Sequence, residues 1–283
     1  MRQLDDAALT ASAQQGDRKA LEELIRRHEA QVFRFGQRMC RNPEDAEDVL
    51  QETFLAMTRT LDGFRGASSV STWLYTIARS FCIKKRRRSK FAPTHVESLD
   101  REEGEAARQV ADAGRPPDEE VAGAQLKRVL DDAIAGLKPM YREVLVLRDI
   151  EGLTAPEVGK VLGLTIQAVK SRLHRAREMV REHVTPALQS EDLPPPTGHE
   201  CQNTARLFSQ HLEGEIDAST CASMEQHIAS CPHCGALCSS LRQTLSACQD
   251  LADQRSGVPL ELQRAVREAV RGFVENRVQL TTK

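Results

Sequence analysis

The chain has 283 residues, enough for two or three small domains, and a formal net charge of only −2. Apolar residues are frequent and Gly and Pro sparse, which excludes a disordered or collagen-like chain. No apolar run approaches bilayer-spanning length and the opening MRQLDDAALT has no signal-peptide core, so a cytoplasmic protein with no membrane partner is expected.

The near-neutral total hides segregated charge. Residues 84–90 read KKRRRSK, and Lys170, Arg172, Arg175, Arg177 and Arg181 crowd a second segment. Acid gathers at Glu44–Glu52 and around Arg101–Glu120. A chain that is neutral overall and locally basic can hold nucleic acid at chosen places without coating it.

Residues 1–92 read as helices with short breaks. Leu21, Leu24 and Ile25 form one apolar stripe, Val49, Leu50, Phe54 and Met57 a second, and Leu74, Ile77, Ala78 and Phe81 a third. Asn42 can cap the second helix, Pro43 can open it, and Glu44 and Asp45 suit its positive end. Asp45, Asp48 and Glu52 then share a polar face opposite Val49 and Phe54; alone, this reads equally as a solvated surface. Cys40 and Cys82 stand singly among apolar neighbours, as small buried hydrophobes do. The stretch FRGASSVSTWLY, Phe64 to Tyr75, joins a Gly- and Ser-rich loop to aromatics and Arg65. Such a loop can stack an unpaired base and bond its edge while nearby cations hold the backbone. Trp73 also reads as a core anchor, and a half-buried Trp can serve both ends.

Residues 93–120 are polar, with Gly104, Gly114 and Pro116–Pro117, and read as a flexible linker. Helical pattern resumes over 121–185. Within it LTAPEVGKVLGLTIQAVKSRLHRAR, Leu153 to Arg177, spells two short helices around a tight turn. Thr154 and Glu157 form a capping box around Pro156, and Gly163 breaks the first helix. Thr165 caps the second, with Ile166, Val169 and Leu173 expected to face inward. Gln167, Lys170, Ser171, Arg172, His174 and Arg175 are left on the outer side. A helix presenting amide, hydroxyl and guanidinium groups suits a DNA major groove; the alternative is a helical hairpin with a solvated basic face.

These motifs resemble, in order and over residues 17–184, a bacterial extracytoplasmic-function (group 4) sigma factor of the sigma-70 family. The matching marks are DAEDVLQETF, FRG followed by STWLYTIAR and a basic tail, and LKPMYREVLVLRDIEGLTAPEVGKVLGLTIQAVKSRLHRAR. The resemblance implies an all-α fold of two small sigma domains, 1–92 (region 2) and 121–185 (region 4), joined by the linker. It implies no enzyme chemistry and two partners, core RNA polymerase (β′ and β subunits) and promoter DNA. Asp45, Asp48, Gln51 and Glu52 would dock on the β′ coiled coil. The loop with Phe64, Arg65, Ser69 and Thr72 would capture a flipped −10 base. Trp73, Lys84, Lys85, Arg86 and Arg87 would hold the melted or bordering DNA. Gln167, Lys170, Ser171, Arg172 and Arg175 would read the −35 element. Primary sigma factors carry two adjacent tryptophans where this chain has Trp73-Leu74, which predicts weaker melting and a stricter promoter demand. The alternative is a DNA-binding or anti-sigma-type interaction protein that keeps the sigma fold without initiating transcription.

Beyond a proline-rich spacer, 186–199, lies a cysteine-rich unit, 200–283, with six of the eight cysteines between Cys201 and Cys248. In a reducing compartment this clustering favours metal binding or thiol sensing over disulfides. His227, Cys231 and Cys234 make an H-x3-C-x2-C pattern, His227 and Cys231 one turn apart on a helix over 217–230. These three donors suit tetrahedral Zn2+, which needs a fourth. Cys201, just ahead of a helix over 204–212, is the first choice and His199 the second. This resembles the zinc-binding anti-sigma fold, whose inter-helix turn HLEGEI, His211 to Ile216, also fits. A thiol–disulfide oxidoreductase is the competing reading of the CxxC, and it requires a strand ahead of the motif. Cys238 lies close enough in sequence to reach the site; Cys221, Cys238 and Cys248 can be ordinary helix residues or a soft-metal (copper, for example) or redox sensor. A final amphipathic helix over 260–280 either completes this unit's core or packs back on the first sigma domain. Fused in cis, the unit has a high effective concentration at the sigma domains, so an intramolecular contact that inhibits or activates is expected.

Overall fold

The computed structural model describes residues 5–40, 42–91, 117–188, 195–196, 198, 201–253 and 257–281. The expected linker between 93 and 116, the spacer between 189 and 194, and His199 lie outside the described residues. Among those described there are twelve α-helices and no strand, as expected for an all-α protein.

Four helices build the first body: α1 (Asp6–Gln14), α2 (Arg18–Met39), α3 (Pro43–Thr60) and α4 (Val70–Phe91). Leu24, Ile25, Val49, Leu50, Phe54, Met57 and Leu74 interdigitate between them with no exposure. The close approach of α2 to α3 depends on Gly36, where an added methyl would sit 3.3 Å from the Ala46 carbonyl. Cys40 and Cys82 are not solitary: their sulfurs lie 3.7 Å apart, Cys82 buried and Cys40 half-buried.

The second body comprises α5 (Pro117–Gly136), α6 (Pro139–Leu145, continued by a wider π-type turn over Val146–Ile150), α7 (Ala155–Leu162) and α8 (Ile166–Leu188). The capping box of Thr154 and Glu157 is present, and Gly163 ends α7 in the left-handed region at φ 67°. Thr165 accepts from the Ala168 amide, which opens α8. Val158, Val161, Val169 and Leu173 are buried, but Ile166 is 47% exposed and does not face inward. It stands at the first position of α8.

The C-terminal unit adds α9 (Cys201–Leu212), α10 (Ala218–Ser230), α11 (Pro232–Asp253) and α12 (Leu260–Thr281). Helix α9 starts at Cys201, three residues earlier than its apolar pattern suggests. Phe208, Met224, Cys238 and Leu241 form a small core of their own. Helix α11 leaves that core and packs on α8, and α12 packs on α3. Cys248, Leu251, Val258, Val266 and Val270 therefore join the same apolar core as the two sigma-like bodies. Of the two readings for α12, packing back on the first body is the one observed.

Candidate nucleic-acid interface and metal centre

The acidic helix forms as its sequence dictates, with the Asn42 side chain accepting from the Asp45 amide at 2.8 Å. Asp48 and Glu52 are exposed, and Gln51 is half-buried. Lys85 pairs with Asp45 at 3.2 Å and also with Asp48. One expected DNA cation thus sits on two expected polymerase-facing carboxylates. Helix α12 also packs on α3, with Arg59 over the Phe273 ring at 5.2 Å. It also reaches α2 through Arg267–Glu29 and Arg271–Glu22 ion pairs.

In the loop before α4, Phe64 stacks on Trp73 with ring centroids 4.4 Å apart. Both rings are half-buried, while Arg65, Ser69, Lys84 and Arg87 are exposed and Arg86 is half-buried. Thr72 is buried, its hydroxyl 2.8 Å from that of Ser69. Both hydroxyls donate to Glu157 of α7, at 3.2 Å from Ser69 and 3.4 Å from Thr72, and Lys160 donates to the Ala67 carbonyl at 3.0 Å. The Glu157 carboxyl lies below its ordinary pKa, chiefly because the Thr154 amide donates to it. Two further carboxylates of the second body repeat the arrangement. Glu143 pairs with Arg79 at 2.9 Å, and Glu151 with Arg34 at 3.0 Å and the Tyr75 hydroxyl at 2.8 Å. Helix α7 of the second body is thereby held against the loop expected to capture a base.

On α8 the expected DNA-reading residues divide into two strips. Gln167, Ser171 and Arg175, spaced at i, i+4, are exposed, and Arg172 is half-buried beside them. Lys170 and His174, on the adjoining strip, lie under the turn between α9 and α10. Lys170 pairs with Glu215 at 3.2 Å, and the His174 Nδ1 lies 2.7 Å from the Ser209 hydroxyl. One turn further on, Arg177 is buried and bonds both Asp149, at 2.6 Å, and Glu213, at 2.7 Å; Arg148 pairs with Glu213 at 2.9 Å. Burial opposes the charge on Arg177, but the two carboxylates outweigh it and keep the guanidinium pKa above its ordinary value. Burial likewise opposes the Glu213 carboxylate, and Arg177 and Arg148 hold its pKa below the ordinary value. The turn reverses at Gly214, whose φ of 66° is natural for glycine. Sequence reasoning missed Glu213 and Glu215 as partners of α8; the only available signal was two carboxylates in a tight turn.

The cysteine-rich unit brings Cys201, His227, Cys231 and Cys234 to one point. Cys201 is the first residue of α9, His227 lies in the last turn of α10, and Cys231 and Cys234 flank the α10–α11 corner. The Cys201 sulfur is 3.7 Å from both the His227 Nε2 and the Cys231 sulfur, and His227 Nε2 is 3.2 Å from the Cys234 sulfur. The three sulfurs are buried and, among the described residues, no carboxylate joins the cluster, a donor set that fits a closed tetrahedral zinc site. Cys238 belongs to the neighbouring apolar core and not to this cluster. A helix, not a strand, precedes Cys231, so the oxidoreductase reading fails.

Three stretches of the chain match known families. Residues 24–91 match the family described as "Sigma-70 region 2", residues 127–180 match "Sigma-70, region 4", and residues 201–235 match "Putative zinc-finger". The chain is 32% identical over 193 residues to an ECF RNA polymerase sigma-E factor of Haemophilus influenzae, covering 66% of this chain and 98% of that one. The sigma-E factor of Escherichia coli is 30% identical over 192 residues, with the same coverage. Among solved structures, CnrH in complex with the cytosolic domain of CnrY is similar at 26% identity and a TM-score of 0.48, covering 64% of this chain and 97% of that one. No helix among the described residues is long and apolar enough to cross a membrane.

Proposed function

The chain belongs to the extracytoplasmic-function sigma factors of the sigma-70 family, transcription initiation factors that bind RNA polymerase, and from that premise we propose that residues 200–283 are a built-in brake on it. In this reading residues 1–92 and 121–185 are the region 2 and region 4 domains, and the segments 93–120 and 186–199 let them separate. Asp45, Asp48, Gln51 and Glu52 engage the β′ subunit. Phe64, Arg65, Ser69, Thr72 and Trp73 capture the −10 base, and Lys84–Arg87 follow the DNA backbone. Gln167, Lys170, Ser171, Arg172 and Arg175 read the −35 groove. Phosphate contacts position the two domains and base contacts select the promoter.

The observation that carries the brake is the pairing of Glu213 and Glu215 with Arg148, Arg177 and Lys170. Carboxylates of the C-terminal unit occupy cations on and beside the helix expected to meet DNA phosphate. Zn2+ held by Cys201, His227, Cys231 and Cys234 would fix α9 to the α10–α11 corner and so present the turn; the metal's role is structural, and its loss would undo the contact. The factor acts with polymerase in the cytoplasm.

Run-off transcription with core polymerase tests the reading. A chain ending at Leu188 should start at the same promoter as the full chain but more productively. The alignment to the Haemophilus influenzae sigma-E factor, spanning 98% of that relative and 66% of this chain, supports the choice of end point. A truncated chain no more active than the full one would overturn the brake. Absence of any defined start with either chain would favour a DNA-binding protein that does not initiate.

A further inference from the structure

We infer that His211, Cys221 and Glu225 form a second, exchangeable site for a zinc-class divalent cation, and that an ion bound there clamps the Glu213–Glu215 turn against α8. His211 lies in the last turn of α9, and Cys221 and Glu225 lie one turn apart on α10. The His211 Nδ1 is 3.3 Å from the Cys221 sulfur, which is 3.5 Å from the Glu225 Oε1. All three donor atoms fall within 4.8 Å of one another. Tetrahedral zinc, with bonds of about 2.0–2.3 Å, sets its donors roughly 3.2–3.8 Å apart. The four-donor cluster in the same unit shows spacings of 3.2–3.7 Å, so both groups fit the same ion.

The chemistry of the donors narrows the ion. One imidazole, one thiolate and one carboxylate suit Zn2+ and similar borderline cations. An all-oxygen set would suit Ca2+ or Mg2+, and an all-sulfur set Cu(I). Three protein donors leave one position for water, unlike the closed site at Cys201 and its partners. Glu225 is exposed and Cys221 only half-buried, so the ion can exchange with the surrounding solution.

The site's position gives it a consequence, which rests on the brake reading above. Its ligands bracket the turn: His211 precedes Glu213 by two residues, and Cys221 follows on the next helix. Bridging them closes the loop 211–221 at its base and removes conformations in which Glu213 and Glu215 swing away from Arg148, Arg177 and Lys170. Metal loading therefore strengthens the closed form.

The test uses the full chain dialysed against buffered free Zn2+, with bound zinc counted by mass spectrometry. About two ions per chain are expected in the wild type and about one in Cys221→Ser and in His211→Ala, the tight four-donor ion being retained. Circular dichroism and that retained ion report that the variants fold. Equal counts in wild type and variants overturn the site. Affinity for a −35 duplex should fall several-fold as the second ion loads in the wild type and stay flat in Cys221→Ser. A second ion that loads without changing DNA affinity overturns the clamp. The brake itself is judged by the truncation at Leu188, so its failure is read separately from either result.

Discussion

Glu213→Gln is the sharpest perturbation of the closed arrangement. Arg177 and Glu213 are each only 4% exposed, and Asp149, which shares the guanidinium, is 5% exposed. Breaking a buried ion pair by removing one partner costs about 3–5 kcal/mol. Here Arg177 keeps Asp149, the glutamine can still accept a hydrogen bond, and Arg148, 27% exposed, can turn to water. The loss should therefore be about half of that, roughly 2 kcal/mol, or about 30-fold in the closed-to-open ratio. When only the open form binds DNA, apparent Kd equals the intrinsic value divided by the open fraction. The full-length Glu213→Gln chain should thus bind a labelled −35 duplex about 30-fold more tightly than wild type by fluorescence anisotropy, up to the limit set by a chain ending at Leu188. The two chains must show the same zinc content. Unchanged affinity in the variant, beside a tighter-binding truncation, would refute the assignment of the latch to this pair.

Two further outcomes concern the sigma domains. Gly159→Ala should destabilise the second body by about 1–3 kcal/mol in thermal melts, because the new methyl would lie 2.9 Å from the Leu164 carbonyl at the crossing of α7 and α8. His28 is buried against Asp6, 2.7 Å away, and burial lowers its pKa despite that carboxylate. The unfolded chain then takes up its proton at a higher pH than the folded one, so stability is full above about 6.5 and declines as pH falls through that value. His28→Gln should flatten this decline in denaturant titrations between pH 7.5 and pH 5.5; an unchanged slope would assign it to other groups.

What could be read from the sequence was what is local. Asn42, Thr154, Gly163 and Thr165 act on residues within one helical turn, and the caps they imply all form. The core stripes were legible because helical spacing alone determines which residues share a face. Ile166 failed because periodicity names a face but not whether a neighbour covers its first turn. The ligand cluster was legible in His227, Cys231 and Cys234, which are joined by one helix and one corner; Cys201, from another helix, had to be chosen over His199. The contacts that close the molecule were illegible. Glu151 meets Arg34 and Glu213 meets Arg177 across chain distances that no spacing rule spans. Nor could spacing pair Cys40 with Cys82.

Those distant contacts share one logic. At the loop expected to capture a base the hydroxyls of Ser69 and Thr72 are taken by Glu157, and the nearby Arg79 by Glu143. On and beside α8, Lys170, Arg148 and Arg177 are taken by Glu215 and Glu213. In each case a carboxylate of the next unit along the chain pairs with groups in or beside a stretch expected to meet DNA. Some of the cations expected to meet DNA, Lys85 and Lys170 among them, are thus matched internally, and under the proposed reading DNA must exchange phosphate for carboxylate to reach them. Such an exchange is close to balanced electrostatically, so small biases decide it. Exposed pairs such as Lys85–Asp48 are screened by salt and yield readily, whereas the buried Arg177 pairs are not. Glu52 is exposed on α3 and Asp48 is held only by the exposed Lys85 pair, so under the proposed reading polymerase could engage region 2 before region 4 is freed. Separation of the two domains on the polymerase surface would then expose both DNA-reading elements together, making promoter recognition conditional on prior capture of the enzyme.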